Sequence, residues 1–418
     1  MKNRGKKAVL HIGAVIKRIL FIGFTIQIIV GIVWMCCNFM QVQDFGGMYF
    51  ADGNSSVAKY SSVARYSPVA RYSPGGIYSP LYHCIFSLLG KFPPVMYLLQ
   101  IAFAFYCGYH FLCKSLPRRY AIWGSLALVT FPFAMQCHLA ILPYSFMGSF
   151  LLLLCSNLRR LWNKESFLRS LWQVAVCVIL IVAMSGWISG KKDEEEVGRS
   201  FEAVMASRMA WPTLWVDYDR WPEELREMTE KVALQAAFYP GNMKLLEEAI
   251  ESKVDTETAK EYYKQIVEIG WTYHAPMIMR QIGWDVLGYA VTPVIFRLQL
   301  KGQSYDSYTG RNYEAMRGNA PIITRYYIEY GCWWLCCSLI LTFVLTMVRL
   351  LVGEGIHWKA PLLMVFISGV WIGILTMQGA GIMDYKYTIA VNELWLIWSF
   401  LIAFGSRKFG AGNADKEV

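Results

Sequence analysis

Apolar runs of about twenty residues, the length that crosses the hydrocarbon of a bilayer, recur from one end of the chain to the other, and short clusters of lysine and arginine border them. Within hydrocarbon every backbone N–H and C=O must be bonded inside the protein, so such runs are expected as helices. The 418 residues are 56% hydrophobic yet carry 40 Lys+Arg against 30 Asp+Glu, a net charge of +10. A positive excess of that size could serve a nucleic acid, but here most of it sits beside the apolar runs. That is the positive-inside pattern rather than a groove for a polyanion, so no nucleic-acid partner is expected.

Reading runs and clusters together gives an all-α polytopic membrane protein with about eight transmembrane helices. A first span at Ile19 to Phe39 follows Lys2, Arg4, Lys6, Lys7, Lys17 and Arg18, which places the N-terminus in the cytoplasm. The run is too long for a signal-peptide core and is read as a retained span. An outer loop over 41–93 holds a short apolar piece, Leu81 to Leu89, expected at the interface. The second span, Pro94 to Cys113, leads to Lys114, Arg118 and Arg119. Spans three and four, Tyr120 to Cys137 and Leu139 to Asn157, form a hairpin around His138. The fifth, Leu171 to Ile188, follows Arg159, Arg160, Lys164 and Arg169. Spans six, seven and eight lie at Tyr327 to Met347, Pro361 to Met377 and Ala390 to Phe404, with Arg349, Lys359, Arg407 and Lys408 on the inner side. The resulting organisation is an N-terminal transmembrane module (1–189), an extracytoplasmic helical segment (190–326), C-terminal transmembrane helices (327–406) and a cytoplasmic tail (407–418).

The middle segment reads as helical, since Glu223 to Phe238, Met243 to Lys253 and Thr256 to Tyr273 place apolar residues at three- and four-residue spacing among charges. The Trp211-Pro212 and Trp221-Pro222 pairs and the Tyr239 to Asn242 run are expected to punctuate it. It contains no cysteine, and nearly all eleven cysteines of the chain fall in apolar spans, so a disulfide framework is not expected. No cysteine–histidine spacing resembles a zinc site. Three tandem hexads begin at Val57, Val63 and Val69. They read either as a basic, aromatic strip with Arg65 and Arg71 touching a phosphate or sugar, or as a lengthened loop, which costs little.

Motifs of soluble enzymes are missing: there is no Walker loop, no GxGxxG after a strand, no GxSxG and no HExxH. What could carry chemistry lies at the outer ends of spans. Asp44, next to two glycines, is placed as a general base or as a solvated loop acid, and Asp52 likewise. Asp384, Tyr385, Lys386 and Tyr387 stand before the last span, with Asn392 after them. A lysine between tyrosines there either holds a lipid phosphate or snorkels from an aromatic belt. His83 and His138 at outer borders are candidates for the wall of a cavity. The span interiors read as nearly free of charge, which counts against a transporter.

The order of first span, Asp44 loop and the Tyr78–Phe92 stretch, YSPLYHCIFSLLGKF, resembles multispan glycosyltransferases of the GT-C class, among them bacterial protein mannosyltransferases and lipid A aminoarabinose transferases. The Asp384–Tyr387 segment is similar to the Arg/Lys-Tyr segment late in such proteins. The resemblance implies transfer of a sugar from a polyprenyl-phosphate donor to a cell-envelope glycan, lipid or protein acceptor, on the extracytoplasmic face of a bacterial cytoplasmic membrane. It implies Asp44 as catalytic base, with Lys386, flanked by Tyr385 and Tyr387, on the donor phosphate and Arg65 and Arg71 beside it. No cofactor is called for, although the class leaves room for a divalent metal. Two positions depart from the class: Phe45 follows Asp44 where an acidic pair is frequent, and Cys137-His138 stands where many members carry an acid. The rival expectations are a non-catalytic scaffold and a lipid or glycan transporter of the same fold.

Overall fold

A computed structural model describes residues 2–38, 93–138, 143–184, 201–216, 218–238, 243–302, 321–353, 358–378 and 385–405. Among these the chain is all-helical, and it divides into two compact units.

The first unit contains α1 (Lys2–Asn38), α2 (Pro93–Leu112), α3 (Arg118–Val129), α4 (Pro132–His138), α5 (Met147–Trp162) and α6 (Phe167–Met184). It also contains α11 (Pro321–Val352), most of α12 (Lys359–Gln378) and α13 (Tyr385–Phe404). Three stretches are long and apolar enough to cross a membrane: Ala8–Cys37, Pro94–Leu112 and Trp333–Val352. Phe167–Ala183, Lys359–Ile374 and Ile389–Phe404 are shorter apolar helices. The first helix starts well before the expected Ile19, because no residue between Lys2 and Arg18 breaks the helical backbone.

Burial sorts these helices into a centre and a periphery. From Ile389 to Phe404, α13 is covered on nearly every side, with α3, α5 and α11 packed against it. Apart from Asn392, Glu393 and Ser399 its sequence there is apolar on every side, as an enclosed helix requires. By contrast α1 buries one seam, Ile16, Leu20, Phe24 and Ile28, and leaves Ile22, Ile29 and Val33 exposed. Leu168, Trp172 and Ile179 on α6, and Ile340, Phe343 and Leu351 on α11, are likewise exposed. Apolar surface of this extent, continuing along several helices, suits hydrocarbon rather than water.

The expected third span is interrupted. Pro132 has no N–H, and Phe131 bonds back to Leu128 O instead of Ala127 O, so α3 ends and α4 begins at a kink. The carbonyls freed there are taken up from other helices. Gln27 of α1 donates to Ala127 O at 2.6 Å, and Tyr327 of α11 donates to Thr130 O. Gly331 lets α11 close on the kink, since a Cβ at that position would overlap the Pro132 ring.

Basic residues gather at one end of this unit. Arg349 donates to Ile402 O at 2.6 Å and to Gly405 O at 2.8 Å, neutralising the C-terminus of α13. Lys359 Nζ meets Asn163 Oδ1 at 2.8 Å, and Lys114 Nζ meets Ser156 Oγ at 3.1 Å.

The second unit comprises α7 (Phe201–Val216), a 3₁₀ turn at Tyr218–Arg220, α8 (Glu223–Phe238), α9 (Met243–Glu251) and the first part of α10 (Thr256–Gly302). Its core is built on Trp221 and Tyr263 with Met209, Leu225, Ile250 and Ile266. The Trp221 indole donates to Thr213 Oγ1 at 3.1 Å, so the buried ring leaves no donor unmade. Asp255 caps α10 through the Thr258 N–H at 2.8 Å, and that bond holds its carboxyl below the usual range. Trp221-Pro222 does precede a helix as punctuation. Trp211-Pro212 does not: Pro212 lies within the last turns of α7, which continues to Val216. Helix α10 also continues far beyond the expected Tyr273.

Candidate functional site

The chemistry-bearing side chains that the first unit brings together are His138, Ser145 and Glu393. His138 is the last residue of α4, Ser145 belongs to the 3₁₀ turn Pro143–Phe146, and Glu393 lies in the third turn of α13. The imidazole is fully buried, and the carboxylate is 2% exposed. His138 Nδ1 faces Ser145 Oγ at 3.0 Å, while Nε2 is 3.9 Å from Glu393 Oε1. The second distance is short enough for an ion pair but too long for a direct hydrogen bond. Gln100 of α2 donates to His138 O at 2.6 Å, tying the end of α4 in place.

The backbone of α5 makes room for the acid. A Cβ at Gly148 would overlap the Glu393 carboxylate and come within 3.4 Å of Ala390 Cα. Glycine therefore permits the approach of α5 and α13 at this level. Several polar atoms stay without a hydrogen-bond partner among the described residues: His138 Nε2, Glu393 Oε2, both side-chain atoms of Asn392, and Ser149 Oγ. Buried polar groups are ordinarily satisfied, and carboxylates inside apolar helical units are costly, so this concentration makes the cluster the candidate site of the unit. Among the described residues no group of three or more His, Cys, Asp or Glu is arranged to hold a metal.

Of the residues singled out from the sequence, Asp44, Asp52, Arg65, Arg71, His83 and Asp384 lie outside the described residues. Tyr385, Lys386 and Tyr387 form the first turn of α13. Lys386 stands seven positions before Glu393, which puts the two positions on one face of the helix, roughly 10 Å apart by the 1.5 Å rise per residue. His138 is at the centre of the cluster. Glu393 is one of the few charges in the span interiors: the last apolar helix carries a carboxylate that is enclosed by protein. The signal for it was in the sequence, as a lone acid between Asn392 and Leu394 in an otherwise apolar run. Its partner could not be read there, because α13 meets α4 only through tertiary packing.

The pair is remote from the basic end. Glu393 precedes Ile402, which Arg349 holds, by nine residues or roughly 14 Å of helix. No family model, no curated protein and no solved structure matches this chain.

Proposed function

We propose that the chain is a polytopic membrane glycosyltransferase of GT-C kind, moving a sugar from a polyprenyl-phosphate donor to a cell-envelope acceptor on the extracytoplasmic face of a bacterial cytoplasmic membrane. The observation that carries this reading is the buried His138–Glu393 pair at the end of the unit away from the basic residues. The basic end then faces the cytoplasm, about eight helices alternate across the bilayer, and both chain termini are cytoplasmic. The class resemblance calls for an acid near the turn between spans three and four, where the sequence has Cys137-His138. Glu393 brings a carboxylate to His138 from the last helix.

In this reading the Asp44 carboxylate accepts the proton of the acceptor hydroxyl as that oxygen attacks the anomeric carbon. The bond to the donor phosphate breaks, and Lys386 holds the departing anion, so the configuration at carbon inverts. Tyr385, Tyr387, Arg65 and Arg71 border the donor, Asp52, His83 and Asp384 complete the cavity wall, and His138 with Glu393 positions the acceptor side.

The test is glycan transfer from a polyprenyl-phosphate sugar in membranes containing equal amounts of each variant. Asp44→Asn is expected to lower turnover roughly a hundredfold or more, and Lys386→Met to raise the donor concentration required. Near-normal transfer by Asp44→Asn sinks the catalytic assignment and favours a scaffold. One observation favours a second reading, a proton-coupled lipid or glycan transporter: an enclosed carboxylate paired with histidine is also the hardware of proton relays. Proton-driven uptake by vesicles that is lost in Glu393→Gln, with no transfer by the parent protein, selects that reading.

A further inference from the structure

At the basic end of the first unit, three cations converge on neutral partners. Lys114, just after α2, gives one N–H to Ser156 Oγ at 3.1 Å. Arg159, in the last turn of α5, donates to Ser115 Oγ and reaches Lys114 O at 3.4 Å. Arg160 donates to Gln173 Oε1 of α6 at 3.2 Å. All three side chains are half-buried rather than waving in solvent. Among the described residues no carboxylate comes within ion-pair distance of any of them; Glu165, exposed and bonded to Asn163, acts on Lys114 and Arg159 only from farther off, and the His110 ring lies 3.5 Å from Ser156 Oγ on the same side. Burial, followed by the charges of Arg160 and Arg159, pushes the Lys114 ammonium down to about 8.

A helix C-terminus accounts for one such cation, since Arg159 reaches the carbonyl that follows α2. It does not account for three. Keeping them together costs repulsion and partial desolvation, and the N–H groups that remain on Lys114 and both guanidinium groups suit an anion of several acceptor oxygens. Exposed lysines would have served to orient the chain in a bilayer.

We propose that Lys114, Arg159 and Arg160 form a binding site for a phosphate group, carried either by an anionic lipid headgroup or by a soluble phosphate compound. The site is independent of the transferase reading: Gln100, which holds His138, is separated from Lys114 by the rest of α2 to Leu112, roughly 18 Å of helix. Two guanidinium groups can each offer paired N–H donors, and Lys114 adds a point charge between them.

The experiment uses the full chain purified in a neutral detergent, with thermal unfolding and direct binding as readouts. The probes are inorganic phosphate, and vesicles of phosphatidylcholine with or without phosphatidylglycerol. Sodium chloride at matched ionic strength separates binding from screening. Protection by phosphate and by phosphatidylglycerol is expected for the parent chain, with affinity at least about tenfold lower in R159Q/R160Q, since charge-assisted bonds are lost. Protection by phosphatidylglycerol alone assigns the lipid as the source, and protection by phosphate alone assigns the soluble compound. Equal protection by chloride, or equal affinity in R159Q/R160Q, overturns the site. Lys114→Gln supplies a control that does not depend on loss of fold, because it keeps a donor for Ser156. Without anion, the parent chain should gain stability as pH rises from about 8 toward 10.5, where the unfolded lysine still holds its proton and the folded one does not. Lys114→Gln should lack that gain, and bound phosphate should abolish it in the parent. A gain unchanged by Lys114→Gln would refute the crowding of charge on which the site stands.

Discussion

Glu393 owes its position to an atom that is not there. The missing Cβ of Gly148 is what lets the carboxylate lie between α5 and α13, so the two residues should be energetically coupled. Gly148→Ala is expected to destabilise the protein by about 1–3 kcal/mol, the usual range for overpacking. Glu393→Ala removes the atoms the new methyl would meet. In that background the same Gly148→Ala change should cost much less, leaving a clear interaction energy in a double-mutant cycle. Thermal melting in detergent of the four variants measures it. Strictly additive effects would mean that α5 tolerates a methyl there without touching Glu393. At this scale the sequence was only half legible. His138 could be singled out because a histidine in a turn between apolar runs is conspicuous. Ser145 and Glu393 could not be attached to it, since a hydroxyl and an acid far apart in the chain acquire a common partner only when helices dock.

At the scale of elements, the reading from periodicity fared best where a run has charged or polar ends. The second span, expected over Pro94 to Cys113, is the helix Pro93–Leu112, and the expected Glu223 to Phe238 helix has those bounds. It fared worst at prolines, whose effect depends on whether other groups take up the freed carbonyls. Pro132 breaks the third run, and its consequences are spread over α1 and α11 through Gln27 and Tyr327. Pro212 leaves its helix unbroken. The kink therefore behaves as a joint held by three helices, and each donor matters because the carbonyl it serves has no water to turn to. Gln27→Leu keeps volume but leaves Ala127 O unserved, and Tyr327→Phe does the same to Thr130 O. Each is expected to cost about 1–3 kcal/mol, the penalty for an unpaired buried acceptor. Hydrogen exchange at the α3–α4 junction should rise in both variants. A protected junction in Gln27→Leu would show that the kink is held by packing alone.

For the whole molecule, the central place of α13 follows from its composition, because a helix with no polar face is stable only when enclosed, whereas α1 and α6 can turn an apolar side to lipid. The same arrangement makes a prediction about sidedness. Lys114, Arg159, Arg349 and Lys359 make their bonds at one end of the first unit, while His138 and Glu393 lie toward the other. If the basic end is cytoplasmic, natural cysteines report it without new ones being introduced. Cys113 is exposed beside Lys114, whereas Cys36 and Cys37 are exposed at the far end of α1, beyond Arg18 by way of an apolar helix. A membrane-impermeant maleimide applied to intact cells should label Cys36 or Cys37 and spare Cys113, and permeabilised cells should add labelling at Cys113. Cys337, in the middle of α11 and exposed on its apolar face, should stay unlabelled in both because a water-soluble maleimide does not enter hydrocarbon. Peptide mapping after Cys113→Ser and Cys36→Ser/Cys37→Ser assigns the signals. Labelling of Cys113 in sealed cells would place the basic end outside, turn the His138–Glu393 pair toward the cytoplasm, and remove the basis for chemistry with an extracytoplasmic lipid-linked sugar.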